Sequence, residues 1–268
     1  MFVRCDYCGA RTPPGAMMEV DPWGNRYCHR KHVDAPRCTT CARYISARCT
    51  GGGVKYQDGR RVCNICRETA VDDNPAAAEA AREVAALLKR AGVIMDGLPL
   101  RIALADADEI RSQRGVRTDF SSSTGPSAGA VLGFIRCRTE IGTEGGGASL
   151  GPSVRRVVEG VTILQGLPRE MFVGTLAHEL GHAWLFLASV DDARPWQEEG
   201  FCNVLSYLIH RHRSQQGNAE ASFYLRCLEE DPDPVYGEGF RRVRAQLKSY
   251  GYAQALRFIY ERGRFPSA

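Results

Sequence analysis

The chain has 268 residues, with 35 Lys and Arg against 31 Asp and Glu, 44% hydrophobic residues and 25% charged residues. That balance belongs to a water-soluble globular protein with one or two cores, and it excludes disordered and collagen-like classes; no apolar run approaches the ~20 residues that a bilayer requires. The formal charge of +4 is small and dispersed, so neither nucleic acid nor a membrane is an expected partner. The opening Met1-Phe2-Val3-Arg4-Cys5-Asp6 has no apolar leader, which makes the cytoplasm the expected location.

Eight of the 11 cysteines precede residue 67. In a reducing compartment disulfides do not persist, so paired CxxC steps read as metal sites. Three such steps occur, Cys5/Cys8, Cys38/Cys41 and Cys63/Cys66, with Cys28, His29 and His32 between the first two. A CxxC knuckle points two sulfurs and backbone N–H groups at one ion, and a second pair of ligands closes the tetrahedron. Order and spacing therefore predict two structural zinc sites. Cys5, Cys8, Cys28 and His32 form the first, with His29 the rival to Cys28, and Cys38, Cys41, Cys63 and Cys66 form the second. Cys49 reads as a spare thiol. This order resembles a LIM domain, whose two zinc sites are filled in the same sequence, although five residues separate His32 from Cys38 where a LIM domain usually has two. Closed shells of this kind leave no position for a substrate, so the module at residues 1–70 is expected to be structural or to recruit a protein partner.

Beyond a boundary near residue 70 comes a second domain, residues 71–268. Asn74 and Pro75 suit the start of a helix that carries Val84, Leu87, Leu88 and Ala91 on one stripe and stops at Gly92. The alternation of Leu100, Ile102 and Leu104, the apolar run 130–137 and the β-branched run 157–164 predict three strands of a small sheet, with loops at 121–129 and 142–152. A helix follows from Pro168 to Ala188, with Phe172, Leu176, Ala183 and Leu187 at helical spacing, and another runs from Pro195 to about His212.

The first of these helices contains His178-Glu179-Leu180-Gly181-His182. Imidazoles four residues apart project one turn apart from one face and can hold one ion, while Glu179 is rotated beside them toward a metal-bound water. The second helix offers a third ligand. Glu198 aligns with Cys202, Leu205 and Ile209 on an apolar stripe, whereas Glu199 aligns with Asn203, Ser206 and His210 on the polar one. Glu199 is therefore the expected ligand, Asn203 the expected partner of a ligand histidine, and Glu198 an ordinary carboxylate near a helix start.

This HExxH followed by Trp196-Gln197-Glu198-Glu199-Gly200-Phe201 resembles the gluzincin metallopeptidases. With the Cys-rich module, Gly166-Leu167-Pro168 and Val235-Tyr236-Gly237-Glu238-Gly239-Phe240-Arg241, the chain resembles the plant organ-size LIM peptidases of the DA-one family, over nearly its whole length. The resemblance implies an α+β chain, a zincin-like peptidase domain behind a LIM-like module, acting as a zinc endopeptidase on protein or peptide substrates. The ubiquitin-interacting helices of the plant members have no counterpart before Cys5, so a bacterial-type member without those helices is expected, and ubiquitin dependence is not carried over from the resemblance. Three zinc ions follow, one catalytic and two structural. Zinc on His178, His182 and Glu199 would leave a place for water, Glu179 would act as general base, and Tyr236, with His210 next, would face the carbonyl oxygen. The alternative is a non-catalytic zinc scaffold, which has no use for a general base beside an open site.

Overall fold

The computed structural model describes residues 2–28, 32, 34–94, 98, 101–114, 132–142 and 153–267. His29, Leu100, the loops at 121–129 and 143–152, and the first two residues of the expected strand 130–137 lie outside them. The chain mixes helices with small sheets and divides into two compact units. One gathers residues 1–73 with 105–132 and Leu164–Met171; the other gathers Asn74–Leu104, Gly133–Ile163 and Phe172–Ala268.

The first unit is made of very short antiparallel pairs. β1 (Val3–Arg4) pairs with β2 (Arg11–Thr12), β3 (Glu19–Val20) with β4 (Arg26–Tyr27), and, after the four-residue α1 (Ala47–Thr50), β5 (Gly53–Lys55) with β6 (Arg61–Cys63). Strands of two or three residues bury too little apolar surface to stand alone. Their buried centres are the cysteines themselves. One cluster joins Cys38, Cys41, Cys63 and Cys66 with Val62, and the other joins Cys5 with Tyr7, Tyr27 and Tyr44. After α2 (Asn64–Glu68), β7 (Ala70–Val71) takes as its partner β11 (Leu167–Pro168) from far along the chain. Pro168 is thus the end of a strand and not the first residue of the following helix.

The second unit opens with α3 (Asn74–Arg90), which buries Val84, Leu87 and Leu88 of the expected stripe together with Ala77, Ala80 and Ala81, while Ala91 falls in the turn past its end. The three expected strands make one sheet. β8 (Ile102–Ala105), β9 (Gly133–Gly142) and β10 (Ser153–Leu164) follow, with the eight-residue α4 (Ala107–Arg114), which comes between β8 and β9 in the chain, belonging to the first unit; the sheet runs β8-β10-β9 with β9 at an edge. β9 and β10 form a longer hairpin than the apolar runs imply, paired from Ile163↔Gly133 out to Ser153↔Gly142 with an irregularity at Val158/Gly160. Its outer half is held by charged pairs such as Arg138 with Glu140 and Glu159, which carry no hydrophobic signal.

Five helices complete this part of the chain. α5 (Arg169–Leu187) is apolar on nearly every side and runs through the core, burying Phe172, Val173, Leu176, Leu180 and Trp184. α6 (Pro195–Gln215) starts with proline at N1 and a capping box between Arg194 and Gln197. α7 (Ala219–Glu230), α8 (Gly237–Tyr250) and α9 (Tyr252–Arg262) pack on after it, closing the core with Trp184 stacked on Phe201 at 5.1 Å and Tyr207 against Phe240 at 5.4 Å.

Candidate metal centres

In the first unit the structure brings Cys5, Cys8, Cys28 and His32 together, and separately Cys38, Cys41, Cys63 and Cys66; within each group the donor atoms all lie within 4.8 Å of one another. The sulfur separations identify what such a group fits. Cys8 and Cys28 are 3.7 Å apart, Cys41 and Cys63 3.7 Å, and Cys38 and Cys66 3.8 Å. A disulfide needs about 2.05 Å. A tetrahedron of about 2.3 Å Zn–S bonds has edges of about 3.8 Å.

The knuckle amides point inward as well. The Cys63 N–H donates to the Cys38 sulfur at 3.3 Å. Burial acts to raise the Cys5 thiol, but backbone N–H groups of Cys28 and Cys8 outweigh it and bring it down to about 6, toward the thiolate that binds metal. Hydrogen bonds from Cys41, Cys63 and Cys66 hold Cys38 far below the ordinary thiol range, and the same contacts push Cys41 and Cys66 up, so the four sulfurs share their protons as one cluster. Both groups could hold zinc. Cys49 is in neither group.

The second unit holds a different arrangement. His178 and His182 lie one turn apart on α5 with their Nε2 atoms 3.2 Å apart, and the Glu199 Oε2 from α6 lies 3.1 Å from one and 3.6 Å from the other. Donors at about 2.0–2.1 Å from a tetrahedral zinc would be about 3.3 Å apart, so this triangle also fits. Burial acts to raise the Glu199 carboxyl, but hydrogen bonds from His178 and His182 outweigh it and hold it down at about 2. The third corner is therefore an anion.

A thiol also approaches, because the Cys202 sulfur comes within 4.8 Å of the two histidines. Burial pushes that thiol up to about 12, so it stays neutral, and Glu199 is the better third donor on charge. Close packing puts both residues there: a Cβ on Gly181 would sit 2.9 Å from Cys202 Cα, and one on Gly200 would sit 2.4 Å from the Gly239 carbonyl oxygen. Glycine at those places lets α6 lie against both α5 and α8.

The outer nitrogens are also fixed. His178 Nδ1 is 2.9 Å from Asn203 Oδ1, and His182 Nδ1 is 2.9 Å from Glu198 Oε1. Assignment of Glu198 as an ordinary helix-start carboxylate is corrected here. It is the residue that sequence reasoning missed, and the only signal was its place beside Glu199 at the helix start. The polar stripe of α6 is explained throughout: Asn203 meets His178, the Ser206 hydroxyl donates to the Gly174 carbonyl at 2.7 Å, and His210 packs where a Cβ on Gly174 would collide with it. His210 is 4% exposed and stacked on Tyr224, so it is not placed to face a substrate.

Glu179 is buried, and its carboxylate lies against the start of β9, where a Cβ on Gly133 would be 3.3 Å from Oε1. Tyr236 stands just before α8 with its ring stacked 6.5 Å from the His178 ring and 43% of its surface exposed. The Asp233 carboxylate anchors that entry by accepting from the Val235 and Tyr236 N–H groups at 2.8 Å.

These features define a chain with two tetrahedral Cys/His clusters in one unit and a three-donor His/His/Glu site in the other. A model of the DA1-like family, described as Protein DA1, matches residues 148–222, a stretch that contains His178 through Asn203 and stops before Tyr236. The chain is 27% identical to Protein DA1 of Arabidopsis thaliana over 98% of its own length and 57% of that protein. It is 28% identical to LIM domain-containing protein HDR3 of Oryza sativa subsp. japonica, over 98% and 62%. Protein DA1-related 7 of Arabidopsis thaliana is 27% identical over 96% and 52%. The chain thus spans between about half and three-fifths of the length of these relatives. No solved structure matches. Among the described residues no helix is long and apolar enough to cross a membrane.

Proposed function

We propose that this chain is a zinc-dependent endopeptidase of the DA1-like family, with a zincin-like catalytic unit and a LIM-like module. The observation that carries the reading is that three donors close on one point from two helices, with Glu179 next to His178 in the chain and buried against the start of β9. A site meant only to hold metal would use a fourth donor, as both cysteine clusters do.

Zinc at this site would make a bound water acidic, lowering its pKa toward about 7. Glu179 would be the carboxylate that holds the proton such a water gives up and delivers it to the leaving amine. Tyr236, whose ring stacks on that of His178, is the proposed donor toward the carbonyl oxygen where charge would develop. Glu198 and Asn203 hold the two histidines in register. β9, whose first residue lies against Glu179, is the sheet edge on which an extended peptide would add as a further strand. Main-chain pairing reads little sequence, so the LIM-like module is assigned to recruiting protein substrates or partners. The cytoplasm is the proposed location, with two structural zinc ions and one catalytic.

The test is cleavage of an unfolded protein substrate by wild type and Glu179→Gln, with zinc measured on both. The amide keeps the shape of the side chain but cannot accept the proton, so zinc should stay and turnover should fall on the order of a thousandfold. Equal turnover moves the base elsewhere, and two equally inert proteins with full zinc would favour a binding scaffold.

A further inference from the structure

Helix α5 starts on a hydrogen bond to the cysteine-rich region. The N–H groups of a helix's first turn have no partner inside the helix. That of Arg169, the first residue of α5, donates at 2.8 Å to the main-chain carbonyl of Thr69, which ends α2 three positions after Cys66. Gly166 donates at 3.0 Å to the Val71 carbonyl, and between these two bonds Leu167 and Pro168 pair with Val71 and Ala70. Leu164–Met171 belongs to the same compact unit as residues 1–73, so all of these contacts lie inside one unit.

Arg60 holds the residues just ahead of β11. It stands three positions before Cys63, its side chain is 3% exposed, and its Nη1 donates at 3.0 Å to the Gln165 carbonyl while its Nε donates to Asp58 at 2.7 Å. The guanidinium also lies over the Tyr56 ring, 4.6 Å from its centre. A cation taken out of water must keep its donors filled, so β11 cannot shift without uncovering a buried charge. On the other face Tyr56 closes on Gly166, where φ is +75° and an added Cβ would sit 3.2 Å from the Tyr56 hydroxyl oxygen.

We propose that the Cys63/Cys66 knuckle is a clamp on the start of α5, with Thr69 and Arg60 fixing β11 and the first turn of the helix that carries His178. Nine residues separate Arg169 from His178 on one unbroken helix, about 13 Å at 1.5 Å per residue, so a loosened first turn leaves that ligand less firmly held. Arg60 is a positioning residue that acts through β11. The LIM-like module then supports the three-donor site as well as recruiting partners. This rests on reading His178, His182 and Glu199 as a metal site and not on peptide turnover.

Two variants of the full chain loosen the clamp from opposite sides and leave every cysteine in place. Asp58→Asn together with Arg60→Met removes both charges of the buried pair, so neither is left alone. Gly166→Ala forces a side chain into a positive φ and against Tyr56. The probes are hydrogen exchange of the Gly166, Arg169 and Cys63 amides, and the phase of zinc release to a chelator that Glu199→Ala abolishes. Both variants should exchange at Gly166 and Arg169 about tenfold or more faster than wild type. Cys63, whose N–H donates to the Cys38 sulfur, should keep its protection, as should α5 beyond Met171. Zinc in that phase should leave about two- to thirtyfold faster. Wild-type exchange at Gly166 and Arg169 in both variants, or faster exchange there with unchanged zinc release, would overturn the inference. Loss of Cys63 protection in both would also overturn it, because the knuckle would then depend on β11. A wild type that is inert toward peptides while its variants give the expected exchange and release would sink the peptidase reading alone.

Discussion

The two units use their donor residues in opposite ways. In the first, the strands are two or three residues long and the buried centres are the cysteines themselves, joined by Val62 in one cluster and by tyrosines in the other. Without an ion those centres are crowded thiols. In the second, Phe172, Trp184, Phe201, Leu205 and Phe240 fill a core that needs no ion, and His178, His182 and Glu199 are carried on helices whose positions are already settled. A metal would hold the first unit together, whereas the second unit would hold the metal. The contrast also explains coordination number, since a fold-making ion uses four protein donors and a working ion leaves a place open.

The largest expected effect comes from breaking a closed cluster. Cys41→Ser replaces a fully buried donor, and because metal binding in such modules is folding free energy, on the order of 10 kcal/mol or more, the region 1–73 should lose its structure. Hydrogen exchange on the whole chain should show loss of protection around Val62 and Cys66 while α5 and α6 keep theirs. Loss of protection in both regions together would mean that the second unit also depends on that ion.

A smaller effect sharpens the open site. Glu199→Ala removes an anionic corner of the triangle and should release zinc far more readily than Glu198→Ala. The Glu198 variant loses only the hydrogen bond to His182 and should weaken zinc by on the order of ten- to a hundredfold. Zinc retention measured against a chelator checks the order, and the reverse order would make Glu198 the ligand.

What could be read from the sequence follows the range of the interaction. CxxC steps, HExxH and the stripe through Glu199, Asn203, Ser206 and His210 are set by spacings of three or four residues, and helix or knuckle geometry converts those directly into neighbours. Glu198 was illegible because its contact depends on how α6 is rotated on α5, which the backbone approach at Gly181 and Cys202 decides. Pro168 reads as a helix start, yet it pairs with Ala70, nearly a hundred positions away in the chain. The outer halves of β9 and β10 carry little apolar pattern because ion pairs along and across the strands, Arg138 with Glu140 and with Glu159, lie on their faces.

The smallest expected effect concerns His210, a titratable group that the second unit buries without using it at the site. Burial first, and then the Arg213 charge, push its imidazole down to about 3. A folded pKa below the ordinary 6.5 means that the unfolded chain binds a proton which the folded one refuses, so stability falls as pH drops from 6.5 toward 3. By about pH 5 this one group should cost about 2 kcal/mol, at 1.36 kcal/mol per pH unit. His210→Gln keeps a polar side chain without the titration. Whatever it does to stability at neutral pH, its decline between about pH 7.5 and pH 5 should be shallower than that of wild type by roughly that amount. Urea unfolding followed by the fluorescence of Trp184 and Trp196, both in the second unit, measures it. Parallel declines would show that His210 takes up its proton in the folded state as readily as in the unfolded one. Because the first unit has no part in this titration, the same difference should persist in the Cys41→Ser background.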